Sequence, residues 1–109
     1  MLRPGTVVWV DFPGAVAIKR RPAVVVSTDE YHRTRPDCVL ALVTSNVQAA
    51  STRFDHLLDD WRAAGLRRPS AVRAYYTTVL QADVQEASRL SARDWAMTQA
   101  RLAGSLSLP

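Results

Sequence analysis

The chain has 109 residues, a formal net charge of +4 and a hydrophobic content of 48%. This length suffices for one hydrophobic core, so we expect a single domain over residues 1–109. No apolar run reaches the roughly 18 residues that a membrane span needs, and the first residues lack a basic segment followed by an apolar one. We therefore expect a cytoplasmic protein that does not enter a membrane.

Cysteine and histidine are scarce. Cys38 is the only cysteine and precedes the apolar run 39–43, which favours a buried structural thiol over a nucleophile. His32 and His56 do not form a metal-ligand spacing. We expect neither a metal nor a cofactor.

The N-terminal half of the sequence predicts three strands. Pro-Gly pairs bound the first, and β-branched or apolar runs mark the other two. The strands are predicted at residues 6–12, 23–28 and 38–44. Residues 15–21 are predicted as a loop that carries the cations Lys19, Arg20 and Arg21. Residues 29–37 are polar and predict a connection with one helical turn.

The C-terminal half predicts helices and strands in alternation. Residues 46–53 are an irregular link or weak strand, and residues 55–64 predict a short helix with Asp55 as N-cap and Gly65 just past its end. A strand is predicted at residues 72–80, with a short one near residues 83–84.

A C-terminal helix is predicted from a capped start at Ser91, with Asp94 three residues later. Trp95, Leu102 and Leu106 recur at helical spacing, and alanines 92, 96 and 103 fall on the same face. This stripe predicts a core or partner surface. The whole order lacks regular βαβ alternation, so we predict an α+β, mainly β fold: a small antiparallel, barrel-like sheet with helices packed outside.

The segment Lys19-Arg20-Arg21-Pro22 leads directly into an apolar run. Pro22 fixes its own φ and biases Arg21 toward an extended conformation, which holds the Arg21 side chain at the mouth of a strand. A guanidinium group matches phosphate bidentately and stays charged. Arg21 is therefore a candidate phosphate ligand; the alternative is that these cations are solvated charges beside a strand.

A second basic segment lies further along. No acid occurs between Trp61 and Gln81, and four arginines fall in this interval. They are Arg62, Arg67, Arg68 and Arg73. Together with the first segment they either form one face that attracts a polyanion or remain two unrelated solvated patches.

Four segments, in this order and spacing, resemble the MazF/PemK family of toxins from bacterial type II toxin–antitoxin systems. They are RPGTVVWVDF at residues 3–12, KRRPAVVVS at 19–27, VLALVTSN at 39–46 and GLRRPSAVR at 65–73. The segment RLSARD at residues 89–94 is similar to the C-terminal end of that family. The loop at residues 13–18 departs from it, because it is shorter and more apolar than in many members.

The resemblance implies an SH3-like or CcdB-like barrel, a homodimer and metal-independent cleavage of single-stranded RNA. In that family the ribose 2′-hydroxyl attacks the adjacent phosphorus, which leaves a 2′,3′-cyclic phosphate and a 5′-hydroxyl end. A cognate antitoxin covers the active groove.

The resemblance also assigns residues. Arg21 matches the catalytic arginine before the proline, and Thr44 matches the threonine at the end of the third strand. Both residue types suit a transition state that gathers charge on phosphoryl oxygens, because it needs a fixed cation and hydrogen-bond donors. No general base is evident, since arginine does not exchange protons readily and neither histidine lies in a matching motif.

Several further residues are candidate RNA ligands. Lys19, Arg20, Arg68 and Arg73 are candidate phosphate contacts, with Arg67 beside them. Ser45 and Asn46 are candidate groove residues that also suit a turn.

Tyr75 and Tyr76 are candidate platforms for stacked bases, although one of two adjacent strand tyrosines normally faces the core. Two other functions stay open from the sequence. One is a non-catalytic CcdB-like toxin that binds DNA gyrase, and the other is a small basic nucleic-acid-binding module. Neither needs both Arg21 and Thr44.

Overall fold

The computed structural model describes residues 2–13 and 16–108, and these form one six-stranded antiparallel sheet with two helices. The strands are β1 Thr6–Pro13, β2 Ile18–Val25, β3 Asp37–Thr44, β4 His56–Leu57, β5 Ala71–Leu80 and β6 Gln85–Arg89. The helices are α1 Asp29–Thr34 and α2 Ala92–Ala103, and 3₁₀ turns lie at Val47–Ala49 and Gln81–Asp83. The strand order is β4-β5-β3-β2-β1-β6. The predicted mainly β, barrel-like architecture with a C-terminal helix is confirmed. No described helix is long and apolar enough to cross a membrane.

The sheet is buried on both faces in its centre. Val8, Val10 and Phe12 of β1 enter one hydrophobic cluster, whereas Val7 enters a second cluster that includes Leu102 of α2. Side chains of a strand alternate between faces, so two apolar faces require nearly continuous apolar runs. This explains the apolar runs in β1, β2 and β3.

The first cationic segment lies in a strand and not in a loop, contrary to the sequence prediction. β2 begins at Ile18 and pairs with β1, so that Lys19 faces Phe12 and Arg21 faces Val10 across the ladder. Because β1 is long, its hairpin partner β2 begins before its own apolar residues and includes the cations. Residues 14 and 15 of the connecting loop lie outside the described residues. The predicted end of this strand, residue 28, is also wrong, because Thr28 caps α1 by accepting from the Tyr31 N–H.

The helix predicted over residues 55–64 is absent from the described structure. His56–Leu57 instead pairs with β5, and turns follow up to Gly65, which has a φ of +78°. Asp55 is not a helix N-cap: its carboxylate accepts from the N–H groups of Thr52 and Ala74. The edge of β5 offers backbone partners here, and this tertiary pairing overrides the local helical pattern.

The start of α2 is confirmed and its predicted apolar stripe is partly wrong. Ser91 is the N-cap, and its hydroxyl accepts from the Asp94 N–H. Leu102 is buried, but Leu106 lies beyond the helix end and is 47% exposed. The three alanines of the predicted stripe, at positions 92, 96 and 103, are exposed. The short strand expected near residues 83–84 begins later: Asp83 lies in a 3₁₀ turn, and β6 spans Gln85–Arg89.

Candidate functional site

Two adjoining pockets open at the end of the sheet where β3 terminates. We call the first the threonine pocket; it has a volume of ≈ 280 Å³. Its lining residues are Phe12, Pro13, Arg21, Leu42, Thr44, Asn46, Ala49, Arg73 and Tyr75. We call the second the tryptophan pocket; it has a volume of ≈ 400 Å³. Its lining residues are Trp9, Arg20, Arg21, Pro22, Val43, Ser45, Gly65, Leu66, Arg67, Arg68 and Ser70. Arg21 lines both.

The pairing of β2 with β3 explains why Arg21 and Thr44 lie close together. The last paired residues are Ala23 and Leu42, and the same antiparallel register continued by two residues sets Arg21 opposite Thr44. Pro22 has no N–H to donate to the ladder. The pairing of β2 with β3 therefore stops before Pro22, and Arg21 and Thr44 both line the threonine pocket.

Thr44 is buried, with 7% of its surface exposed, and its Oγ1 accepts a hydrogen bond of 3.1 Å from the Asn46 N–H. A hydroxyl also carries one donor. The Thr44 O–H remains available to donate into the pocket.

Arg20 lies on the opposite face of β2 from Arg21. Its Nη2 donates to Gln85 Oε1 over 2.8 Å, and its Nη1 lies 3.8 Å from Asp11 Oδ1. These contacts hold the Arg20 guanidinium at the rim of the tryptophan pocket, where it keeps part of its surface exposed.

The two tyrosines of β5 point in opposite directions. Tyr75 is 38% exposed in the threonine pocket, where its ring packs 5.5 Å from Phe12 and 5.7 Å from the Arg73 guanidinium carbon. Tyr76 turns toward α2, and its hydroxyl lies 2.5 Å from Ser105 Oγ. Of this pair only Tyr75 lines either of the two pockets. Arg73 Nε is buried and has no hydrogen-bond partner among the described residues.

The structure brings together most of the residues that the sequence singles out. The threonine pocket holds Arg21, Thr44, Asn46 and Arg73, and the tryptophan pocket adds Arg20, Ser45 and Arg68. Lys19 is exposed and lines neither pocket. Arg20 and Arg21 of the first basic segment thus share the two adjoining pockets with Arg67, Arg68 and Arg73 of the second, whereas Arg62 lines neither. No carboxylate or histidine occurs among the described residues that line the two pockets.

Trp9 is the lining residue that sequence reasoning missed. It is 37% exposed, although it lies between the buried residues Val8 and Val10. The signal was the alternation itself: Val8, Val10 and Phe12 share one face, so Trp9 and Asp11 must share the other.

A second polar cluster joins β4 to the start of α2. One imidazole nitrogen of His56 and one carboxylate oxygen each of Asp59 and Asp94 lie within 4.8 Å of one another. Asp94 is far from the other two in sequence, so sequence spacing does not reveal the cluster. Asp94 Oδ1 accepts from the Asp59 N–H over 2.9 Å and lies 2.8 Å from His56 Nε2, while Oδ2 accepts from the Asp60 N–H over 2.8 Å. Both oxygens are therefore engaged in the protein, and the arrangement is a structural clasp.

The surroundings of Asp94 favour the charged form of its carboxylate. Burial by itself raises the pKa of Asp94, but hydrogen bonds from the Asp59 N–H, His56 and the Asp60 N–H outweigh it and set the pKa below its ordinary value. Beside it, hydrogen bonds from Arg93 and then Ser91 lower the pKa of Asp60.

The fold is that of known MazF toxins. MazF from Deinococcus radiodurans, in a MazE–MazF crystal structure, superposes with a TM-score of 0.73 at 22% identity, over 99% of this chain and 97% of that chain. A mycobacterial endoribonuclease in complex with its cognate antitoxin superposes with a TM-score of 0.79 at 17% identity, over 100% of this chain and 98% of that chain. The Mycobacterium tuberculosis toxin MazF-mt6 superposes with a TM-score of 0.70 at 19% identity, over 97% of this chain and 100% of that chain.

The family follows from the sequence as well as the shape. The chain belongs to the PemK-like, MazF-like toxins of type II toxin–antitoxin systems, whose family model matches residues 3–106. No curated protein sequence matches the chain.

Proposed function

We propose that this chain is an endoribonuclease toxin that cleaves single-stranded RNA without a metal ion. The observation that carries the proposal is that Arg21 and Thr44 border one pocket, which adjoins a second pocket lined by three further arginines. Fold relatives named as an endoribonuclease support it.

The proposed reaction is an internal transesterification. The ribose 2′-oxygen forms a bond to the adjacent phosphorus while the bond from phosphorus to the 5′-oxygen breaks. The 2′-hydroxyl proton leaves to water and the 5′-oxygen takes up a proton from water, so the ends are a 2′,3′-cyclic phosphate and a 5′-hydroxyl. Arg21 stabilises the charge that develops on the phosphoryl oxygens, and the Thr44 hydroxyl donates to one of them.

We also propose a cognate antitoxin as partner and a homodimeric toxin. The Deinococcus MazE–MazF complex and the mycobacterial endoribonuclease–antitoxin complex support the first of these. An antitoxin that covers both pockets should abolish cleavage when it is added in stoichiometric amount.

The test is to incubate the purified protein with a varied pool of single-stranded RNA in excess chelator and to analyse the new ends. We expect cleavage with 2′,3′-cyclic phosphate ends. Arg21→Ala should lower the cleavage rate by roughly 10²- to 10³-fold, because it removes a fixed charge that acts in the transition state. The matched control is Arg33→Ala, an exposed arginine of α1 outside both pockets, which should cleave normally.

Two results would overturn the proposal. One is the absence of cleavage across the whole pool, which would leave a gyrase-binding toxin or a simple nucleic-acid-binding module. The other is near-full cleavage by a correctly folded Arg21→Ala protein, as judged by its thermal unfolding midpoint.

A further inference from the structure

The floor of the tryptophan pocket contains a large exposed aromatic surface. Trp9 lies in β1 between two paired strands, opposite Pro22 of β2 and Gln85 of β6. Its backbone is therefore fixed within the sheet, yet 37% of the residue is exposed. Because this backbone is already ordered, a ligand that packs on the exposed indole has only the side-chain torsions to fix.

The surroundings of Trp9 are cationic. Guanidinium groups of Arg20, Arg67 and Arg68 line the same pocket, and the described lining residues include no acid. Aromatic faces next to arginines are the combination that single-stranded nucleic acids use, with bases stacked and phosphates neutralised. An acidic peptide would also suit the arginines, but it does not require a flat aromatic face.

The tryptophan pocket adjoins the threonine pocket. Arg21 lines both, and the consecutive residues Thr44 and Ser45 contribute one side chain to each. The tryptophan pocket is therefore the adjacent site for a strand whose phosphate lies at Arg21 and Thr44.

We infer that Trp9 is a base-stacking residue that holds the nucleotide next to the scissile phosphate. The inference rests on the proposed function, which it deepens by naming a subsite. Arg20, Arg67 and Arg68 hold the phosphates around that nucleotide, and Trp9 holds its base. The subsite accepts any base with a π-face, and its contribution is to binding.

The test measures binding without cleavage. The probe is a fluorescein-labelled, randomised ten-nucleotide RNA with 2′-fluoro riboses, which lacks the attacking hydroxyl. Trp9→Leu should weaken binding by about five- to a hundred-fold, the range for loss of one stacked base. Trp9→Phe should bind within a few-fold of the unaltered chain. Both variants are checked by thermal unfolding, so that binding is compared between folded proteins.

An abasic strand of the same length separates stacking from a structural effect. It should bind the Trp9→Leu protein and the unaltered chain equally, since it has no base to stack. Salt dependence gives a second readout: Trp9→Leu should leave the slope of log K against log salt unchanged, whereas Arg68→Ala should reduce it by about 0.7, the value for one phosphate contact on a single strand.

Equal binding of the 2′-fluoro RNA by the Trp9→Leu protein and the unaltered chain would overturn the inference. An equal loss on the abasic strand would overturn it too. Because the probe cannot be cleaved, these results are independent of whether the chain proves to be a ribonuclease.

Discussion

The Asn46 N–H donates to Thr44 Oγ1 over 3.1 Å, so the first residues after β3 orient the buried Thr44 hydroxyl. This contact occupies an acceptor position of the hydroxyl and leaves its donor for a phosphoryl oxygen. The fold therefore positions the Thr44 oxygen before any ligand binds, with its O–H free to donate.

Thr44→Val should lower kcat for RNA cleavage by roughly 10²- to 10³-fold, because it removes a donor that acts on the developing charge while it keeps the side-chain shape. KM should change little, since the interaction forms mainly in the transition state. Thr44→Ser restores a hydroxyl and should recover most of the rate. Steady-state cleavage kinetics measure both constants.

The control for this prediction is Thr78→Val, an exposed threonine of β5 outside both pockets. It should leave kcat unchanged. A Thr44→Val protein as active as this control would remove Thr44 from the reaction.

Sequence patterns predict the elements in which local preference and tertiary pairing agree. The apolar runs of β3 and β5 and the Ser91 cap of α2 are recovered within a residue or so. The same patterns place Thr44 at the end of β3, whereas Arg21 lies inside β2 and not before it; their juxtaposition in one pocket follows from β2–β3 pairing.

The errors come from contacts that a linear sequence does not display. Residues 55–64 carry a helical pattern, but β5 supplies an edge that His56–Leu57 completes as a strand. The exposure of Trp9 depends on which face of β1 is covered by other elements. The clasp of His56 and Asp94 joins residues 38 positions apart, so no local spacing reveals it.

Asp94→Ala should destabilise the fold by about 3–5 kcal/mol, because it removes a buried carboxylate and leaves His56 Nε2 and the N–H groups of Asp59 and Asp60 without their partner. Asp94→Asn keeps one acceptor oxygen and should lose less. Urea unfolding measures the free energy of unfolding of both. The control is Asp83→Ala, on an exposed turn, which should change the free energy of unfolding by no more than about 0.5 kcal/mol. An equally small change for Asp94→Ala would contradict the structural role of the clasp.

Stability should fall in acid. The pKa values of Asp60 and Asp94 are both lowered in the folded chain, so the unfolded chain takes up protons at higher pH than the folded one. The stabilisation that these two carboxylates contribute is fully present above the carboxyl pKa of the unfolded chain, about 4. It is lost as the pH falls through their lower pKa values in the folded chain.

Urea midpoints measured from about pH 7 down to pH 2 test this sign. Asp60→Asn should be less stable than the unaltered chain near neutrality and should show a shallower acid decline. A parallel decline in both proteins would show that the Arg93 and Ser91 contacts with Asp60 contribute nothing to the pH dependence.

Cys38 should be unreactive in the folded protein. Its side chain lies within β3 in the hydrophobic cluster that includes Leu40, and burial raises the pKa of the thiol to about 11. Only the thiolate is nucleophilic, so at pH 8 the folded chain should react with iodoacetamide on the order of a hundred-fold more slowly than the urea-unfolded chain. A Cys38→Ala, Ser107→Cys protein, whose thiol lies at an exposed position, should react equally fast with and without urea. Rapid alkylation of Cys38 without urea would mean that β3 opens to solvent far more readily than its packing indicates.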